Sequence, residues 1–73
     1  MSRLPTITPQ KMAKVLEKMG FTAAHQTGSH SFYQHPDGRT TTVAIHSKDL
    51  PRGTMKKILR DIRLSEDEFQ KLL

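Results

Sequence analysis

Two apolar stripes at helical spacing, separated by a segment with no helical period, most constrain how this chain can fold. Each stripe follows the i, i+3, i+4, i+7 pattern that places four side chains on one face of a helix. The stripes are Met12, Val15, Leu16, Met19 and Met55, Ile58, Leu59, Ile62. The chain has 73 residues and no cysteine, so no disulfide can staple it. Both helices must therefore pack on whatever the middle segment forms, within a single domain spanning residues 1–73.

Local signals set the expected ends of the two main helices. Thr8 can cap the first helix through its hydroxyl, and Pro9 suits the first helical position because no hydrogen bond is lost there. Gly20 suits a left-handed C-cap. These signals predict a first helix over residues 9–19 and a second over residues 52–62.

A short final helix is expected after the second main helix. Ser65 and Glu68 have the spacing of a capping box, and acidic residues favour the positive end of the helix dipole. The apolar residues Phe69, Leu72 and Leu73 are then predicted to dock on the body of the domain.

The middle segment predicts three antiparallel strands. We expect strands over residues 21–26, 30–35 and 39–45, with turns at 27–29 and 36–38 and a polar connection over 47–51. Adjacent strand residues face opposite ways, so one of Phe32 and Tyr33 must be core and the other surface. The order is α-β-β-β-α with a short C-terminal helix, which predicts an α+β fold with a three-stranded sheet packed against two helices.

Charge and hydropathy narrow the partners and the compartment. Twelve Lys and Arg against seven Asp and Glu give a net charge of +5, which favours nucleic acid or an acidic protein as partner. A basic surface that serves only solubility fits the same charge. No apolar run reaches membrane-spanning length, and the first residues lack the apolar region of a secretory signal. We therefore expect a cytoplasmic protein with no membrane partner.

The four histidines do not predict a metal site. His25, His30, His35 and His46 include no pair at the i, i+4 spacing of a zinc-binding helix. The sequence also lacks a Gly-rich phosphate loop, a paired-carboxylate site and a Ser-His-Asp triad. No metal and no cofactor are predicted.

One segment, Gly28-Ser29-His30, has the composition of a catalytic turn. A glycine lets the backbone approach a ligand closely, and neighbouring N–H groups can contact a phosphate oxygen beside a hydroxyl and an imidazole. The same residue types are also common in turns for conformational reasons alone.

Basic residues continue from the last loop through the second main helix. They are Lys48, Arg52, Lys56, Lys57, Arg60 and Arg63. Such a run is usually a solvated face, but beside a sheet that carries aromatic residues it can follow an RNA backbone while a ring stacks on a base.

The order and spacing of these features resemble the HicA family of toxin mRNA interferases, the partners of HicB antitoxins. The resemblance covers nearly the whole chain. The matching motifs are Met19-Gly20-Phe21, Gly28-Ser29-His30, His35-Pro36-Asp37-Gly38-Arg39, Thr42-Val43, His46, the run from Gly53 to Arg60, and Leu64-Ser65. Ala44 departs from the family, which often has proline there.

The resemblance implies a double-stranded-RNA-binding-domain-like fold and a toxin of a type II toxin–antitoxin system. It implies metal-independent cleavage of messenger RNA, with His30 as the essential catalytic residue. It also implies a HicB-like antitoxin, which we expect to cover the basic face and His30.

The following roles for individual residues form a working hypothesis for that activity. His30 acts as general base or acid, and His46 is the first candidate for the second proton-transfer group, with water as the next. The phosphate is held by Gly28, Ser29, Lys48, Arg52, Lys56, Lys57 and Arg60. A non-catalytic RNA-binding module of the same fold, or a domain that binds only an acidic protein, would use the same basic face.

Overall fold

A computed structural model describes residues 4–46 and 48–73 of the chain. The elements are α1 (Pro9–Lys18), β1 (Thr22–Thr27), β2 (His30–Gln34), β3 (Thr40–Ala44), α2 (Arg52–Ile62) and α3 (Glu66–Lys71). This order confirms the predicted α+β, double-stranded-RNA-binding-domain-like fold. Residues 1–3, which bear on the targeting prediction, and residue 47 of the predicted polar connection lie outside the described residues.

Helix α1 begins and ends as its sequence predicts. The Thr8 hydroxyl accepts a hydrogen bond from the backbone N–H of Lys11 at 3.2 Å, and Pro9 occupies the first turn. The helix ends at Lys18, and Gly20 follows with φ +99°, a conformation that a glycine adopts without strain. Met12, Val15 and Leu16 are buried, and Met19 packs partly buried against the core.

The second stripe is buried as predicted. Met55, Ile58, Leu59 and Ile62 on α2 are all at most 3% exposed. They join the α1 stripe, Phe21, Tyr33, Val43 and Phe69 in one apolar cluster. The two helices are therefore held in place mainly by burial of apolar side chains.

The capping box of α3 is confirmed. Of the three apolar residues predicted to dock on the body of the domain, one does not. Ser65 accepts from the N–H of Glu68 at 3.1 Å, and the Glu68 carboxylate accepts from the N–H of Ser65 at 3.0 Å. Phe69 is fully buried and Leu72 is partly buried. The prediction for Leu73 is wrong, since it is 41% exposed: it lies beyond the C-cap at Leu72, and although its backbone N–H donates to the carbonyl of Gln70 at 3.3 Å, its side chain faces solvent.

The three strands form an antiparallel sheet in the order β1-β2-β3. Ser31 and Tyr33 of β2, with Thr41 and Val43 of β3, are buried on the face that carries the helices, which we name the inner face. Phe32 points to the opposite, outer face. The division of Phe32 and Tyr33 between surface and core is thereby confirmed.

Helix α2 has a definite direction relative to the sheet. The Thr41 hydroxyl donates to the Asp61 carboxylate at 3.0 Å, and an Arg39 guanidinium N–H donates to the carbonyl of Ile62 at 2.6 Å. The end of α2 therefore lies beside the start of β3. From there α2 extends back across the inner face of the sheet, so its first residue lies farther from the start of β3 than its last. No helix in the described part of the chain is long and apolar enough to cross a membrane.

Candidate active site

His30 is the first residue of β2 and follows a two-residue turn. Thr27 pairs with His30, so Gly28 and Ser29 alone join β1 to β2. Gly28 has φ +58°, and Ser29 does not have a positive φ. A positive φ at only the first loop position is the pattern of a type II′ hairpin turn, which requires glycine there. The space that a Cβ of Gly28 would enter is open for 4 Å, so a ligand can approach this backbone.

The His30 side chain is exposed on the outer face of the sheet. It makes no hydrogen bond, ion pair or ring contact with any other residue that the structure describes. Both ring nitrogens are therefore free to exchange protons with a ligand, which is the arrangement that a general acid or base requires.

His46 lies close to the same turn. Register places His30 opposite Ala44, and the N–H of Ile45 donates to the carbonyl of Ser29 at 2.8 Å. This hydrogen bond extends the pairing of the strands to the residue just before His46. The exposed His46 follows β3 at the end of the sheet where His30 begins β2.

The basic residues divide between the two ends of α2. Arg52 and Lys56 lie in its first half, away from the turn that is bonded to the start of β3, and the exposed Lys48 precedes them. Lys57 forms an ion pair with Asp61 at 3.3 Å, and Arg60 lies in the last turn. The direction of the helix thus places Arg52 and Lys56 farther from the start of β3 than Arg60 and Arg63.

Helix α2 packs on the inner face of the sheet, whereas His30 points to the outer face. The helix therefore does not face the imidazole. Its apolar stripe packs on the inner face with Tyr33 and Val43, whereas His30 points outward. Burial of the stripe dictates this placement. Cations from α2 can reach a phosphate at His30 only around the end of the sheet.

The outer face contains a residue that the sequence did not single out, His25. Its ring stacks on Phe32 with centroids 5.5 Å apart and planes 28° from parallel. A bulge between Ala23 and His25 shifts the register, so that Ala23 pairs with Tyr33 and His25 with Phe32. Simple alternation would have put His25 on the same face as Ala23, and only the bulge brings it beside Phe32.

His35, by contrast, is fully engaged within the fold. Its Nε2–H donates to the carbonyl of Met19 at 3.1 Å, and its Nδ1 accepts from the N–H of Asp37 at 3.1 Å. The ring also meets Phe21 edge-on, with centroids 5.0 Å apart. Nδ1 also lies 3.0 Å from the Asp37 carboxylate. These partners engage both ring nitrogens and make His35 a structural residue that joins the end of α1 to the β2–β3 hairpin.

Asp37 is the one acid of this hairpin loop, and its environment favours the charged form. The backbone N–H of Arg39 donates to it at 3.0 Å and the guanidinium at 2.8 Å. These bonds, the backbone bond foremost, lower the pKa of the Asp37 carboxyl below its ordinary value. A polar cavity of about 450 Å³ lies beside this loop, at the end of the sheet away from His30.

No group of three or more His, Asp or Glu side chains converges as a metal-binding cluster among residues 4–46 and 48–73.

A comparison with protein families yields one match. The model described as "HicA toxin of bacterial toxin-antitoxin" matches residues 9–64, which run from the start of α1, through the sheet, to just beyond α2. Among curated proteins, none matches the sequence significantly.

Proposed function

The chain belongs to the HicA toxin family, and on that premise we propose that it cleaves messenger RNA without a metal ion, using His30 for proton transfer. Family membership makes the chain a toxin of a toxin–antitoxin system and implies an antitoxin partner. The ribonuclease activity and the role of the histidine are our proposal.

The observation that carries the proposal is the position of His30. The imidazole stands exposed at the start of β2, after a turn with open backbone, and engages no other described side chain. Histidine is the side chain best suited to give and take a proton in such a reaction.

RNA supplies the nucleophile for this reaction. His30, acting as general base, takes the proton of the 2′-OH, the 2′-oxygen attacks phosphorus, and the bond from phosphorus to the 5′-oxygen breaks. The leaving oxygen takes a proton from a general acid. The products are a 2′,3′-cyclic phosphate and a 5′-OH, so atoms balance without water or a cofactor.

The second proton-transfer group in this scheme is His46, with water as the alternative. The hydrogen bond from Ile45 to Ser29 supports His46, because it ties the residue before His46 to the turn before His30. One imidazole would then remove a proton while the other donates one.

Positive charge around the end of the sheet stabilises the phosphate during attack. We assign this role first to Lys48, Arg52 and Lys56, since they precede or begin α2, whose last turn is bonded to the opposite end of the sheet. N–H groups around Gly28 and the Ser29 hydroxyl offer further donors. Lys57 and Arg60 attract RNA over a longer range, with Lys57 already paired to Asp61.

The antitoxin that we propose is a HicB-like protein that covers His30 and the basic end of α2. RNA and antitoxin would then compete for one surface. We propose further that residues 1–73 act as a single HicA-like domain in the cytoplasm.

The test is incubation of the purified protein with messenger RNA, followed by analysis of the new RNA ends. Fragments that carry a 2′,3′-cyclic phosphate and a 5′-OH, formed equally with and without EDTA, are expected. Loss of cleavage in EDTA would overturn the metal-free reaction. A gel shift with no shortening of the RNA would instead identify a non-catalytic RNA-binding module.

Gln34→Ala is the matched control variant for this experiment. Gln34 is exposed in the same strand, on the same face as His30, at the far end of the sheet. Its cleavage rate is expected to equal that of the unsubstituted protein, while added antitoxin should inhibit both equally.

A further inference from the structure

The outer face of the sheet carries an aromatic pair beside His30 that the cleavage reaction does not use. His25 and Phe32 are direct cross-strand partners, and their rings stack at 5.5 Å. Phe32 lies two residues after His30 on the same face, which separates them by about 7 Å along the strand. The pair therefore lies about one nucleotide away from the proposed site of cleavage.

One side of the Phe32 ring is open. His25 contacts Phe32 from β1, whereas the neighbour from β3 is the small, exposed Thr42. No other described ring contacts Phe32. Ala44 leaves similar room beside His30. Small residues of β3 are thus the neighbours of Phe32, which is only partly buried, and of His30.

The charge of this face suits a polyanion. The outward residues of the strands include no carboxylate, and they are Thr22, His25, Thr27, His30, Phe32, Gln34, Thr40, Thr42 and Ala44. The whole chain carries a net charge of +5, and the exposed cations Lys48, Arg52 and Lys56 follow β3 in the chain.

We propose that Phe32, backed by the stacked His25 ring, is a platform on which an unpaired base of single-stranded RNA stacks, with the adjacent phosphate at His30. The proposal rests on the proposed function and names the form of its substrate. Every base has a π-face, so the platform binds without selecting a base. Bases within a duplex are stacked on each other and present only their edges, so a duplex cannot use it.

The experiment measures binding of RNA that cannot be cleaved. The probe is a fluorescein-labelled, fully 2′-O-methylated single strand of about 12 nucleotides, within the usual range for single-strand binders. The same strand annealed to its complement provides the duplex. Methylation removes the nucleophile, so the readout does not depend on catalysis.

Phe32→Leu keeps an apolar side chain on the sheet but removes the ring. We expect it to weaken single-strand binding by about 5- to 150-fold, the usual effect of losing one stacking side chain. The slope of affinity against salt should not change, because no phosphate contact is lost. Phe32→Tyr should bind as the unsubstituted protein does, and His25→Leu should show a smaller loss.

Two control variants test whether the loss of binding is specific to the Phe32 ring. Gln34→Ala, on the same face but without a ring contact, should bind as the unsubstituted protein does. Lys56→Ala should lower the salt slope, unlike Phe32→Leu. Thermal unfolding of each variant shows that the fold is retained.

Each outcome decides a separate question. If Phe32→Leu binds the single strand as well as the unsubstituted protein, or if duplex binds as tightly as single strand, the platform is overturned, whatever the cleavage assay shows. If the protein binds the probe with the expected dependence on Phe32 but leaves unmodified RNA intact, the platform stands and the proposed nuclease fails. Absence of binding to either probe overturns the platform.

Discussion

The sheet has one hairpin at each end, and the two ends contain similar residues. They differ in whether their histidine has partners within the fold. His30 begins β2 and His35 directly follows it, and each hairpin has a short loop with a glycine of positive φ, Gly28 or Gly38. At the first end, the His30 side chain has no partner among the described residues. At the second end, His35 bonds to Met19 and Asp37 and packs on Phe21.

Arg39 completes the second end. Its guanidinium donates to Asp37 at 2.8 Å and to the Ile62 carbonyl at 2.6 Å, and it lies 5.2 Å from the centre of the Phe21 ring. One side chain thereby joins the hairpin, the end of α2 and the residue that follows α1. The polar groups here stabilise the fold and have little capacity left for a ligand.

The comparison shows why residue type alone does not identify the functional histidine. A histidine whose nitrogens are satisfied within the fold contributes to stability, whereas a free and exposed one contributes almost nothing to it. Of the two histidines, His30 is therefore the one whose ring nitrogens are available to a ligand. Substitutions at the two ends should therefore separate activity from stability.

The largest expected effect is on activity, at the first end. His30→Ala should slow RNA cleavage by about 10²- to 10⁴-fold, the usual contribution of one general acid or base. Its free energy of unfolding should change by less than about 0.5 kcal/mol, as for exposed side chains without contacts. Cleavage kinetics and urea unfolding of the same preparation check both. Unfolding of the variant under native conditions would contradict the assigned difference between the ends.

The second effect is on stability, at the opposite end. Arg39→Ala leaves the Ile62 carbonyl without its guanidinium donor and removes one of the donors to the Asp37 carboxylate, which keeps the backbone N–H of residue 39. The free energy of unfolding should fall by about 1–3 kcal/mol. Lys57→Ala is the control, because it removes only an exposed i, i+4 ion pair worth about 0.3–0.5 kcal/mol. If urea unfolding gave the same decrease in the free energy of unfolding for both variants, the Arg39 contacts would contribute no more than an exposed ion pair.

The third prediction compares Gly28, in the turn before His30, with Gly20, which follows α1 and lies beside His35. Alanine at either position is strained by the positive φ, at about 1–3 kcal/mol. In Gly20→Ala the new Cβ would also lie 3.1 Å from Nε2 of His35, whereas in Gly28→Ala it would meet open space. Gly20→Ala should therefore be the less stable variant in thermal unfolding. The reverse order would mean that His35 does not fill the space beside Gly20.

The smallest effect concerns pH at the second end. The lowered pKa of Asp37 means that its charged form stabilises the fold above the ordinary carboxylate range, and this stabilisation is lost as the pH falls through the pKa of the folded state. The difference in melting temperature between the unsubstituted protein and Asp37→Asn should shrink from about pH 7 to about pH 3. A constant difference over that range would contradict the assigned bonds.

The sequence predicted the fold well because local signals and burial agreed. The stripes of α1 and α2, the Thr8 cap and the Ser65–Glu68 box all act within a few residues, and the structure confirms them. Leu73 failed because nothing local decides whether a terminal residue stays on the core.

The candidate site was less predictable, because it depends on contacts between distant residues. The role of His35 rests on a backbone carbonyl 16 residues away, and the stacking of His25 on Phe32 rests on a bulge that no sequence pattern announces. The placement of α2 behind His30 follows from which sheet face is apolar. The site residues themselves stay predictions.

The most direct test of the central claim is chemical rescue of His30→Ala by imidazole. If His30 transfers a proton, free imidazole should enter the vacated space and raise the rate of RNA cleavage by the variant with increasing imidazole concentration. The unsubstituted protein should gain nothing. A folded His30→Ala variant that binds RNA and cleaves it at the rate of the unsubstituted protein, with no response to imidazole, would contradict the account.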